Sequence, residues 1–190
     1  MKEVTTSMNL PDGTSDVTYI EFEEEDRILF LELYNAWQKA SKLSVELKGR
    51  KFNLPESLSE GLFSLEMGVG RVLNCSNNGV NSSWDCIDPK TTTRIQVKAC
   101  SVLPDLTSFG PRSVWDKLYF CDFSRLDGTF TIYLIPNDYV YDRVVSTEKG
   151  KKETMRDQQK QGRRPRMKII DIINEKKLTP VKIGSVHKLK

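Results

Sequence analysis

Asp85, Gln96 and Lys98 are the residues of this chain whose types and spacing suit phosphodiester chemistry. They lie on Ser83-Trp84-Asp85-Cys86-Ile87-Asp88-Pro89-Lys90-Thr91-Thr92-Thr93-Arg94-Ile95-Gln96-Val97-Lys98. Two strand-like runs, Ser83–Asp88 and Thr93–Leu103, flank the polar turn Pro89–Thr92. With the turn centred between Lys90 and Thr91, antiparallel partners sum to 181. Asp88 then faces Thr93, and Asp85 faces Gln96, with opposed side chains about 5 Å apart on one face. Lys98 shares that face, while Asp88, three residues from Asp85, points away. A carboxylate and an amide oxygen can hold a hard divalent cation such as Mg²⁺ against a phosphate oxygen. A neighbouring ammonium can orient or help deprotonate an attacking water and stabilise charge on the phosphate. A hairpin holds such groups at fixed separations, as hydrolysis requires. The bare pattern also fits an exposed hairpin carrying incidental polar residues.

The elements around this hairpin follow from periodicity. Glu21–Lys48 has no Pro or Gly, and Ile28, Leu31, Leu33, Trp37, Ala40 and Leu43 recur at roughly helical spacing. The spacing predicts a long amphipathic helix ending near Gly49. A second helix is expected after Asn53, with Pro55 in its first turn, Leu58, Leu62 and Leu65 on its apolar face, and Gly68 and Gly70 stopping it. Val69–Asn74 reads as a strand, Asn77-Asn78-Gly79 as a turn, and Lys117–Phe123 with Thr129–Ile135 as a further strand pair. Helices are expected around Ser146–Gln161 and Lys168–Lys177. Strands in sequence followed by helices point to an α/β fold, a mixed central sheet flanked by helices.

At 190 residues, 38% hydrophobic and 29% charged, the chain suits one globular domain. We divide it into an N-terminal helical element (1–50), a catalytic core (51–140) and a basic DNA-contacting region (141–190). No apolar run approaches the roughly 20 residues that span a bilayer, and the start lacks the basic-then-apolar order of a signal peptide, so a cytoplasmic protein is expected. Cys75, Cys86, Cys100 and Cys121 have no paired spacing and only one His accompanies them, which argues against zinc and for reduced, mostly buried thiols.

Charge is divided unevenly. Asp142–Lys190 carries 15 Lys/Arg and 6 Asp/Glu, against 14 and 20 in Met1–Tyr141, so the chain has a basic end suited to a polyanion or to plain solvation. Lysines and arginines neutralise phosphates, Arg can also grip a guanine edge and Gln an adenine edge. Gln158, Gln159, Arg163, Arg164 and Arg166, the last three stiffened by Pro165, are therefore the expected DNA contacts. Tyr139 and Tyr141 either line the same cleft or pack at a strand end.

The hairpin resembles the PD-(D/E)xK nuclease superfamily, in particular small type II restriction endonucleases: an Asp on one strand, then acidic-x-Lys on the next, as Asp85 and Gln96-Val97-Lys98. The resemblance extends over Asn53–Glu60, Ser108–Pro111, Asp116–Phe120 and Gln161–Arg166, about two-thirds of the chain, and is to a family cutting short GC-rich sites, GCNGC-like. It implies a restriction-endonuclease-like core and a Mg²⁺-dependent, site-specific deoxyribonuclease acting on double-stranded DNA. Metal would be held by Asp85, Gln96 and the Val97 carbonyl. It further implies a homodimer in a prokaryotic cytoplasm, with a cognate methyltransferase as a genetic rather than a bound partner. Gln96 departs from the family acid. Glu60, from the preceding helix, is the natural additional site residue, with Glu66 the alternative. A binding-only relative and a repair-type nuclease without sequence preference remain open.

Overall fold

The structure, a computed structural model, describes residues 1–76, 84–147 and 150–187. The turn expected at Asn77-Asn78-Gly79, the strand start at Ser83 and Lys149 lie outside these residues. The N-terminal fifty residues are not only helical, contrary to the expectation. β1 (Lys2–Leu10) and β2 (Gly13–Glu21) form an antiparallel hairpin registered from Lys2↔Glu21 to Leu10↔Gly13. In β2, Ser15, Val17 and Tyr19 are buried and alternate with more exposed residues, a period of two.

A 3-10 turn at Glu24–Asp26 leads into α1 (Arg27–Glu46), which therefore starts later than the Pro- and Gly-free segment Glu21–Lys48 but in step with the first residue of the expected stripe, Ile28. Its inner stripe is Phe30, Tyr34, Trp37 and Ser41, three or four residues apart. Of the expected stripe, Trp37 is buried and Leu31 and Leu33 pack partly against the core, while Ile28 and Leu43 are exposed. Aromatic rings bury more area per position, and they take the inner face. α2 (Glu56–Met67) follows Pro55 and ends at Gly68, which adopts the left-handed conformation that closes a helix. A Cβ on Gly61 would run into the Phe30 ring, so the bare position lets α1 and α2 pack closely.

Among the described residues eight strands form the main sheet, in the order β1, β2, β3 (Gly70–Cys75), β4 (Cys86–Asp88), β5 (Thr93–Cys100), β7 (Lys117–Asp122), β8 (Thr129–Ile135) and β12 (Lys182–Ser185). Neighbours are antiparallel except β5 and β7, which run parallel, so the sheet is mixed as expected. Both faces are covered. Tyr119 and Cys121 of β7 pack with Trp37, Leu62 and Phe63 from the two long helices. Leu118 and Phe120 pack with Trp115, Met155, Ile169 and Ile172 on the other side. Burial on two faces explains why β7 reads as a continuous apolar run.

The C-terminal part supplies that second cover through α3 (Asn137–Tyr141), β9 (Val144–Ser146), β10 (Glu153–Thr154), α4 (Met155–Lys160), β11 (Arg166–Met167) and α5 (Ile169–Lys176). α4 is much shorter than the helix expected over Ser146–Gln161, because Thr154 caps it in a reciprocal box with Asp157. All four cysteines are free, and Cys75, Cys86 and Cys121 are buried. Among the described residues no helix is long and apolar enough to cross a membrane.

A buried ionic clamp closes the fold. Glu66, whose side chain is 2% exposed, bonds Arg27 Nη1 at 2.8 Å and Lys182 Nζ at 3.1 Å. Arg27 also donates to the Ser185 carbonyl, so α1, α2 and β12 are tied at one point. Removing Glu66 would leave the buried Arg27 with only the exposed Glu24 as counter-charge, and its Nη1 without a carboxylate. Glu66→Ala should lower the unfolding free energy by about 3 kcal/mol in a urea titration. A loss below about 1 kcal/mol, typical of surface pairs, would show that the clamp does not hold β12.

Candidate active site

The register between β4 and β5 is Cys86↔Ile95, Ile87↔Arg94 and Asp88↔Thr93, the one the turn implied. Asp85 stands just before β4. Its N–H donates to the Ile95 carbonyl at 2.9 Å and its carbonyl accepts from Val72 N–H at 2.9 Å, so strands on both sides grip it. Past the end of β4 the Val97 N–H is taken by the Asp85 carboxylate, whose Oδ2 accepts it at 2.7 Å. The same oxygen accepts a hydrogen from Gln96 Nε2. A side chain thus completes the ladder and is fixed in direction by it.

Gln96 is 4% exposed, and its amide nitrogen lies between Asp85 Oδ2 and the Val97 carbonyl, 3.3 Å away. It enters the site as a hydrogen-bond donor to Asp85 rather than as the oxygen ligand expected. Its neighbour across the parallel ladder is Leu118, buried completely, which shuts out water on that side.

In front of Asp85 opens a cleft of about 680 Å³, lined by Glu56, Ser59 and Glu60 of α2, Val97 and Lys98 of β5, and Thr107 and Ser108 of β6 (Thr107–Ser108). Glu60 reaches Arg71 Nε through Oε2 at 3.0 Å. Burial first, and then the charge of Asp85, push the Glu60 carboxyl up to about 7 against the pull of Arg71. Burial also raises Asp85 above the usual carboxylate range, opposed by Lys98 and the Val97 N–H. Two desolvated acids lining one cleft form a place where added positive charge is favoured. Lys98 Nζ stands 5.7 Å above the centre of the Phe109 ring, which packs beneath the cleft wall.

Among the described residues no three His, Cys, Asp or Glu side chains converge as a ready-made metal cage. The donors available are two carboxylates, Asp85 and Glu60, and the Val97 carbonyl. Mg²⁺ is commonly bound by one or two carboxylates and completes its shell with water and phosphate oxygens, so this donor set fits it. Glu66 is far from this role, locked in the clamp with Arg27 and Lys182. Glu56 escaped sequence reasoning; its spacing of four residues from Glu60 on one helix was the available signal. Asp105 also borders the cleft, but it is occupied: it accepts from Ile169 N–H at 2.9 Å, Ile170 N–H at 3.0 Å and the Thr107 hydroxyl at 2.6 Å. It therefore caps α5 and holds the cleft wall in place.

The basic run meets the cleft through β11, which pairs with β6 in the register Arg166↔Ser108 and Met167↔Thr107. Phe109 N–H adds a bond to the Pro165 carbonyl at 3.0 Å. Arg163, Arg164 and Arg166 are exposed beside this wall. Gln158 is not presented to DNA: it is 6% exposed because it follows Met155 by three residues into the inner face of α4. Gln159 donates to the Gly110 carbonyl at 3.0 Å and so holds the wall rather than facing outward. Tyr141 stacks on Trp115 at 5.3 Å in the C-terminal layer, while Tyr139 is exposed under Lys176 Nζ at 4.6 Å, and neither lines the cleft.

A family model described as Bsp6I restriction endonuclease matches residues 22–176. The chain belongs to the Bsp6I restriction endonuclease family. A relative described as type II restriction enzyme Bsp6I, from Bacillus sp. (strain RFL6), is 34% identical over 155 residues, 81% of each chain. No solved structure matches the chain. The Bsp6I-family match opens just after β2 and closes on the last residue of α5, so it contains Asp85, Glu60, Lys98 and the basic run together. Hairpin β1–β2 and strand β12 lie outside it. The mixed sheet flanked by helices agrees with a restriction-endonuclease-like fold.

Proposed function

We propose that this Bsp6I-family chain is a Mg²⁺-dependent type II endonuclease that hydrolyses double-stranded DNA at specific sites, with Asp85, Glu60 and Lys98 at its reaction centre. The observation that carries the reading is the meeting of these three side chains in one cleft whose wall is paired to the arginine-bearing strand β11. Asp85, Glu60 and the Val97 carbonyl would hold Mg²⁺, which when bound supplies charge for the scissile phosphate and a more acidic water. Gln96 keeps the Asp85 carboxylate aimed at the cleft. Lys98 orients the attacking water and balances charge gathering on the phosphate. Arg164 and Arg166 neutralise phosphates along the duplex. Cutting two antiparallel strands symmetrically suits a homodimer, and the exposed Ile28, Leu29, Leu43 and Val45 of α1 are available to it. The setting would be a prokaryotic cytoplasm in which a cognate methyltransferase protects the host sites.

Plasmid incubated with the protein should yield discrete fragments with Mg²⁺ and none after chelation with EDTA, activity returning when Mg²⁺ is restored. A smear would assign the cleft to a nuclease without sequence preference. Intact plasmid with a gel shift would make this a binding-only relative, the outcome that Gln96 in place of an acid allows.

A further inference from the structure

We infer that Arg163 is the arginine that reads a guanine edge and that Glu153 aims it, while Arg164 and Arg166 act on phosphates; this rests on the nuclease reading above. The three arginines lie within four residues but are held differently. Arg163 Nη1 donates to Glu153 Oε2 at 2.8 Å and to Gln161 Oε1 at 3.3 Å. Gln161 Nε2 in turn donates to Glu153 Oε1 at 3.2 Å, which closes a ring of three side chains. From beneath, the buried Gln158 points its amide nitrogen at Glu153 Oε2, 3.5 Å away.

Each member of the ring is fixed through the backbone. Glu153 pairs with Ser146 in the β9–β10 ladder and immediately precedes the capped start of α4. Gln161 ends that helix, and Arg163 N–H donates to the Gln158 carbonyl at 2.9 Å. Three residues later the chain is registered against the cleft wall by Arg166↔Ser108. The guanidinium is therefore positioned relative to the reaction centre before any DNA arrives.

What the ring leaves unused is the informative part. Nη1 is committed, whereas Nη2 and Nε have no hydrogen-bond partner among the described residues. Those two nitrogens present parallel N–H donors, the geometry that matches O6 and N7 of guanine. Arg164 and Arg166 make no ion pair among the described residues, and a flexible cation of that kind serves phosphate better than a base edge. An exposed ion pair adds little to fold stability, so stability does not account for the ring. Holding a long side chain in its binding geometry beforehand lowers the entropy lost on association.

The test uses full-length protein and a duplex carrying a site mapped from wild-type digests. Discrimination is the ratio of kcat/KM on that duplex to kcat/KM on duplexes with single base-pair changes. Arg163→Lys keeps the charge and loses the fork, and should cost about 10- to 100-fold in discrimination against changes at one G·C pair. Replacing that guanine by 7-deazaguanine should slow the wild type about tenfold and leave Arg163→Lys unaffected. Glu153→Gln should reduce discrimination at the same pair about 3- to 10-fold, with the melting temperature within about 2 °C of wild type. Arg164→Ala should instead weaken cognate and non-cognate binding alike, with a salt slope smaller by about 0.9. Equal losses on all duplexes for Arg163→Lys, or unchanged discrimination in Glu153→Gln, would overturn the inference. A wild-type protein that cuts no plasmid with Mg²⁺ would instead bring down the nuclease reading itself.

Discussion

Lys98→Ala should give a protein that still binds its DNA sites and no longer cuts them. Lys98 lines the cleft, and its charge opposes the upward shift that burial imposes on Asp85, so its ammonium acts on the acid that would face the phosphate. Proton transfer by a positioned group contributes about 10²- to 10⁴-fold to a rate, and a charge aimed at the developing negative oxygen a comparable amount. Single-turnover cleavage with Mg²⁺ should therefore fall at least about 10³-fold. Affinity in EDTA should stay within about threefold, since salt-dependent attraction is spread over the many cations of the basic end. Lys98→Arg separates the two roles of this residue. A guanidinium keeps the charge but does not give up a proton near neutral pH. Recovery of cleavage would assign Lys98 to charge balance, and continued inactivity would assign it to proton transfer or to close fit. Cleavage by Lys98→Ala at the wild-type rate would remove this cleft as the reaction centre.

The hairpin was legible because two local rules sufficed for it. A short turn sets the register, and a period of two sorts the faces, so Asp85, Gln96 and Lys98 could be grouped without any long-range knowledge. Gln96 shows where that reasoning stops: facing Asp85 was foreseen, whereas the direction of its amide depends on the Val97 carbonyl and a buried neighbour. Hairpin β1–β2 was missed because Lys2–Leu10 is mostly polar, so only Val4, Met8 and Leu10 mark its period of two, although Pro11-Asp12-Gly13 is turn chemistry. In α1 both aliphatic and aromatic residues recur at helical spacing, and only packing against the sheet decides which set turns inward. Gln158 went astray because it was chosen for its amide among basic neighbours, whereas its spacing of three from the buried Met155 turns it inward. The pairing of β11 with β6, which brings the arginines to the cleft, joins residues far apart in sequence and leaves no periodic trace.

Glu60→Gln should make the metal-free protein more stable and the enzyme inactive. In the fold the Glu60 carboxyl titrates near 7, raised by burial and by Asp85 from its ordinary value of 4.5. Between those values the folded chain retains a proton that the unfolded chain has released. The resulting stability is complete below pH 4.5 and is lost as pH rises through about 7. At pH 8 the wild type must keep an ionised Glu60 beside Asp85, whereas glutamine carries no charge there and can still accept from Arg71. Melts in EDTA should show Glu60→Gln more stable by on the order of 1–2 kcal/mol at pH 8 and nearly equal to wild type at pH 5. Mg²⁺ reverses the order. A cation that binds only the folded state stabilises it by mass action, and the variant, short of one carboxylate, gains less. Cleavage should fall by about 100-fold or more with it. A variant less stable than wild type at pH 8 would make Glu60 chiefly the counter-ion of Arg71. A variant that cuts normally would move the second carboxylate to Glu56, one turn earlier on the same helix and lining the same cleft.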